Sequence, residues 1–108
     1  MRNSSRTPID EVAIDAAGAV AIRPRIAADE TFEHIYRAAM GVRWHSDTRS
    51  LVPYETKGET PAWWFRQIVA AVSSEYGQLL ELQPDTKWTN VSSDVRRAIE
   101  AIEDGHAV

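Results

Sequence analysis

The chain has 108 residues, 44% hydrophobic and 26% charged, with twelve basic and sixteen acidic side chains and a formal net charge of −4. That length fits one domain and not two, and the absence of cysteine excludes disulfides, thiolate metal sites and cysteine nucleophiles and fits a reducing compartment. No apolar run approaches the roughly 20 residues that span a bilayer, so the cytoplasm is expected and a membrane partner is not; the acidic balance also works against nucleic acid, whose binding rests on phosphate neutralisation.

In chain order, residues 1–8 are polar, lack the apolar stretch of a signal peptide and are expected to form a flexible arm ahead of one domain over 9–105. Val12 and Ile14, then Val20 and Ile22, alternate with polar or small neighbours on either side of Ala16-Ala17-Gly18. Two period-2 runs around a short link predict a β-hairpin, with Gly18 free to take the left-handed conformation. Asp29 is a candidate cap for a helix over 30–40, which would place Phe32, Ile35, Tyr36, Ala39 and Met40 on one face and stop at Gly41. Val42–His45 and Arg49–Tyr54 predict a second hairpin around the turn residues Ser46-Asp47-Thr48.

Thr60-Pro61 combines a capping hydroxyl with proline at the first helical position, and it opens a helix to about Tyr76 that ends at Gly77. Trp64, Ile68, Ala71, Val72 and Tyr76 make its apolar stripe, widened by Trp63, Phe65 and Val69. Leu79–Leu82 reads as a fifth strand, and Lys87-Trp88-Thr89 as irregular or briefly extended. A last helix, capped by Ser92 or Ser93, runs to about Asp104 with Val95, Ala98, Ile99 and Ile102 inward, and 106–108 form a frayed tail. The order ββαββαβα defines a small α+β domain, an antiparallel-rich sheet packed by helices.

Four tryptophans are many for this length. Neighbours on a helix point about 100° apart, so Trp63 and Trp64 cannot both sit at the centre of one buried stripe. One of them is free to line a groove or an interface, where tryptophan is enriched; the alternative is that all four fill a small core. Tyr36, Arg37, Trp44, His45, Trp63, Trp64 and Trp88 are the candidate ligand or interface residues. His45 and Asp47 would share a face on a continuing strand and could orient an imidazole for acid–base work, but no nucleophile motif accompanies them. His34, His45 and His106 have no metal-ligand spacing, and neither phosphate-binding glycine loop is present, so no catalytic residue, metal or cofactor is assigned. Arg37, Arg43, Arg49 and Arg66 could surround an anion if their elements converge, or could pair singly with Glu33, Glu55 or Glu75. From Glu75 onward three basic residues face seven acidic ones. The last helix thus offers an acidic face, Asp94, Glu100, Glu103 and Asp104, which is either plainly solvated or docks a basic partner.

The stretches EVAIDAAGAVAIRP, FEHIYRAAMGVRW, PAWWFRQIVAAVSSEYG and TKWTNV together resemble a group of small uncharacterised bacterial proteins, some encoded on mobile integron gene cassettes. The resemblance spans about Asp10 to Val91 and is sharpest at Ile35-Tyr36-Arg37, Trp44, Trp64-Phe65, Glu75-Tyr76-Gly77 and Trp88. Those relatives carry an acidic residue after the first tryptophan, where this chain has His45. The resemblance implies a compact α+β fold, self-association and a small-molecule cleft, and it carries no catalytic role. Two functions are expected from these observations. One is a homo-oligomeric binding module with a groove fringed by Tyr36, Arg37, Trp44 and Trp63 for a small molecule or peptide. The other is an immunity- or antitoxin-like protein that neutralises a protein partner through the acidic helix.

Overall fold

The alternation around Ala16-Ala17-Gly18 closes into an antiparallel hairpin, β1 (Ser5–Ile14) and β2 (Val20–Pro24), in a computed structural model that describes residues 5–54, 56 and 58–105. The Asp15 carboxylate accepts from the backbone N–H groups of Ala17 and Ala19, each at 2.9 Å, and Gly18 takes φ 89°. β1 starts earlier than its side chains announce. Ser5–Pro8 lies parallel to β5 (Gln78–Glu81), so these four residues are strand and not arm. Backbone pairing supplies that ladder, and no side-chain alternation advertises it. The rest of the expected arm, 1–4, and the expected tail, 106–108, lie outside the described residues.

Ile9 and Val12 are both fully buried although three residues apart. A register shift between Ile9 and Glu11 reconciles this, because the extra residue of a β-bulge moves the following side chains to the opposite face.

The helix expected over 30–40 is realised as a single 3-10 turn, Ile35–Arg37. Its competitors are tertiary hydrogen bonds. A continuing α-helix would join the His34 N–H to the Glu30 carbonyl. Instead the His34 N–H donates to the Tyr76 hydroxyl at 3.0 Å, and Arg49 donates to the Glu30 and Ala27 carbonyls at 2.9 Å each. Phe32 and Ile35 are buried as expected, whereas Tyr36 and Met40 turn outward, 53% and 92% exposed.

β3 (Val42–His45) and β4 (Ser50–Pro53) pair antiparallel through a turn that puts Arg49 at φ 53°. Helix α1 (Pro61–Tyr76) follows its sequence signals: the Thr60 hydroxyl accepts from the Trp63 N–H at 3.1 Å, and Gly77 closes the helix at φ 66°. β6 is Lys87–Thr89, and α2 is Ser93–Gly105, with the Ser92 hydroxyl accepting from the Val95 N–H. On α2, Ile99 is buried and Val95 and Ile102 are half-buried, but Ala98 faces solvent.

The strands form one mixed sheet in the order β3-β4-β2-β1-β5, with β6 also on β1. Three pairs are antiparallel, and β5 and β6 run parallel to β1. These two strands share one edge of β1 in succession. Between them the Thr86 hydroxyl donates to the Ile9 carbonyl at 2.6 Å and accepts from the Gln83 N–H at 2.8 Å, so a buried side chain bridges the gap in the ladder. Arg25 ties the same region from outside, bonded to Asp10 and Asp85; the Asp10 bond first, then the Asp85 bond, raises its pKa above the ordinary value. Helix α1 covers the sheet with Trp64, Phe65, Ile68 and Val72, and α2 packs on α1. The α+β class and element order read from the sequence hold.

Candidate functional site

The candidate aromatic residues separate into four places. Trp44 belongs to an edge-to-face chain inside the molecule: its ring lies 5.6 Å from Phe32, and Phe32 lies 4.8 Å from Tyr76. The Arg49 guanidinium lies over the Trp44 ring at 5.7 Å. Tyr36 and Arg37 sit at the C-terminal end of α1, where Arg37 pairs with Glu75 at 3.7 Å. Trp63 and Trp64 lie at the other end of α1, perpendicular to one another with centroids 5.0 Å apart. Trp64 is buried and Trp63 is 43% exposed, as the angular step between helical neighbours requires. No ring contact among the described residues joins Trp63 to Trp44 or Tyr36. Trp63 and the pair Tyr36–Arg37 thus stand at opposite ends of α1.

Trp88 is half-buried beneath Arg96, whose guanidinium lies 4.8 Å from its ring and bonds Glu100 at 3.1 Å. Asp94 pairs with Arg97 at 3.3 Å. Both described acids of the expected docking face thus have an arginine on their own helix; the side chains of Glu103 and Asp104 lie outside the described residues. His45 ends β3, and its Nδ1 is 3.1 Å from the Thr48 hydroxyl and accepts from the Thr48 N–H. The tight turn replaces the continuing strand that would have aligned Asp47 with it. No group of three or more metal-ligating side chains gathers among the described residues. The four candidate arginines do not converge: Arg37 is on Glu75, Arg43 lies over the Tyr54 ring at 5.2 Å, Arg49 holds carbonyls, and Arg66 stands elsewhere.

Two surface features remain. The first surrounds Gly41. The Trp64 ring occupies the space a Cβ would take on Gly41, whose carbonyl accepts from the Tyr54 N–H at 2.6 Å. Met40, next to Gly41 in the chain, and Tyr54 are exposed, as is Trp63, which packs on the Trp64 ring, and Arg43 lies over Tyr54.

The second is a concavity of about 690 Å³ between α1, β5 and α2. Phe65 and Leu80 form its buried floor, and Val69, Leu79 and Ile102 its apolar walls. Small residues on the helices, Ala70 and Ala101, keep it open. Arg6, Arg66 and Glu81 stand at it, and Arg6 and Glu81 form an ion pair with each other. Of these residues the sequence singles out only Arg66, as one of four arginines able to surround an anion. The available signal was the apolar line Phe65–Val69 beside the main stripe of α1, wider than one sheet contact needs.

Fold and surface together define a small α+β protein with an apolar cleft beside its central helix and an aromatic face at that helix's start. The chain belongs to the integron cassette protein family Hfx_Cass5, whose model matches residues 9–86. A solved structure described as integron cassette protein Hfx_Cass5, from the mobile metagenome of the North West Arm sewage outfall, is 34% identical. The alignment covers 92% of this chain and 93% of that one, with a TM-score of 0.41. No curated protein matches the chain. No helix among the described residues is long and apolar enough to cross a membrane.

Proposed function

We propose that this protein is a binding module for a small, largely apolar molecule, held in the cleft between α1, β5 and α2. The observation that carries this reading is the cleft itself, about 690 Å³ with a floor of Phe65 and Leu80. Small-molecule sites occupy roughly 300–1,000 Å³ and are lined mainly by apolar side chains with a few polar groups at fixed places. The neutral dye N-phenyl-1-naphthylamine tests it, since its fluorescence rises on leaving water. Wild type is expected to enhance the dye. Ala70→Trp and Ala101→Trp, which fill the cleft from opposite walls, are expected to abolish the enhancement while melting like wild type. No enhancement by the wild-type protein removes the proposal.

A second reading concerns the face around Gly41. Methionine, tryptophan, tyrosine and arginine are the residue types enriched at protein interfaces, and Met40, Tyr54 and Trp63 are exposed on the segments that adjoin Gly41, with Arg43 over the Tyr54 ring. The partner we assign to it is a second copy of this chain, because a two-fold contact brings each partner's cation–aromatic pair and exposed methionine onto the same groups of the other. A sedimentation coefficient that rises with protein concentration is its mark.

A further inference from the structure

We infer that the ligand of the cleft is a free amphiphile with an apolar body and an anionic head, and that Arg66 holds the head. The inference rests on the reading of the cleft as a ligand site and adds the ligand's charge and polarity.

Arg66 is the odd arginine among the described residues. Among the described residues, Arg6, Arg23, Arg25, Arg37, Arg96 and Arg97 each lie on a carboxylate. Arg49 donates to two backbone carbonyls, and Arg43 lies over an aromatic ring. Among the described residues Arg66 has no carboxylate, carbonyl or ring partner, and it stands at the apolar concavity between α1, β5 and α2. The other two charges at that concavity cancel, since Glu81 is engaged by Arg6. Among the described residues the cleft therefore presents an apolar interior and a single uncompensated guanidinium. A hydrocarbon body gains by leaving water there. A carboxylate or phosphate monoester at its end finds a planar donor fork suited to bidentate capture. A cationic head would meet like charge at the same place, and a neutral head would leave the fork with water alone.

The experiment is competition for the dye by three probes of one chain length, decanoate, decanol and decylamine, each below its micelle-forming concentration. Decanoate is expected to displace the dye about tenfold more tightly than decanol, equivalent to about 1.4 kcal/mol, with decylamine weakest. Raising the salt concentration should narrow the gap, because exposed charges are screened. Arg66→Gln is expected to bring decanoate to the level of decanol and leave decanol unchanged, and Arg66→Lys to restore part of the preference. Arg66 is exposed on α1, so folding is not at stake. Equal displacement by all three probes, unchanged in Arg66→Gln, overturns the anionic head while leaving the cleft as a ligand site. Absence of dye binding overturns the cleft reading and this inference with it. Co-sedimentation with phosphatidylglycerol vesicles, without displacement by free decanoate, overturns the commitment to a free ligand.

Discussion

Gly41 leaves no room for a side chain. A Cβ built there falls 2.8 Å from Cη2 of Trp64, a distance that real Cβ atoms do not show. The indole cannot swing aside, because it is buried in the core on α1. From the sequence this glycine reads as a helix stop; in the fold it is a contact surface for an aromatic ring. Gly41→Ala is expected to destabilise the protein by about 1–3 kcal/mol, the usual cost of overpacking, measured by urea unfolding. Adding Trp64→Phe, which removes the clashing ring edge, should make the double variant less destabilised than the sum of the single ones. The indole N–H groups of Trp44 and Trp64 are buried without a hydrogen-bond partner among the described residues, so these rings contribute packing and not polar anchoring. This splits the tryptophans by role: Trp44 and Trp64 structural, Trp63 at the surface, Trp88 beneath Arg96.

At the scale of elements, the first strand depends on a threonine seventy-odd residues away in the chain. Thr86→Val keeps the shape of the side chain but leaves the Ile9 carbonyl and the Gln83 N–H without their partner. A loss of about 1–3 kcal/mol is expected, the cost of leaving a buried polar group unmade, and calorimetric or urea unfolding would show it. A variant within about 0.5 kcal/mol of wild type would mean that the bridge contributes little. Much of this level was legible in the sequence. Both hairpins, α1 with Thr60, Pro61 and Gly77 at its ends, and α2 follow from local periodicity and capping chemistry. What escaped was long-range. The extension of β1 to Ser5 and its parallel pairing with β5 and β6 are backbone bonds to distant segments. The reduced helix at 30–40 was outcompeted by Arg49 and Tyr76, neither of them local. The cleft escaped for the same reason, since its walls come from three elements and only their juxtaposition makes a concavity.

For the whole molecule, the aromatic face and the cleft are lined by different residues and can be tested apart. Met40→Glu places a carboxylate at the most exposed apolar position of the face around Gly41. If the face joins two copies, this variant is expected to sediment as a monomer at concentrations where wild type associates, while still enhancing the naphthylamine dye. A wild-type protein that stays monomeric at high concentration would remove that role. The charge excess of the last third does not decide the matter, because Asp94 and Glu100 pair with Arg97 and Arg96 of the same helix.

The position of β1 has a consequence for synthesis. This strand leaves the ribosome before the other described strands, yet one of its edges is completed only by Gln78–Glu81 and Lys87–Thr89. At roughly 5–20 residues per second, the nascent chain must wait on the order of several seconds with the centre of its sheet half-made. A ribosome that stalls or a message cut short within that interval yields a polypeptide holding its first hairpin and no closed core. The cell then sees either a nearly whole protein or a substrate for its proteases, with little stable ground between them.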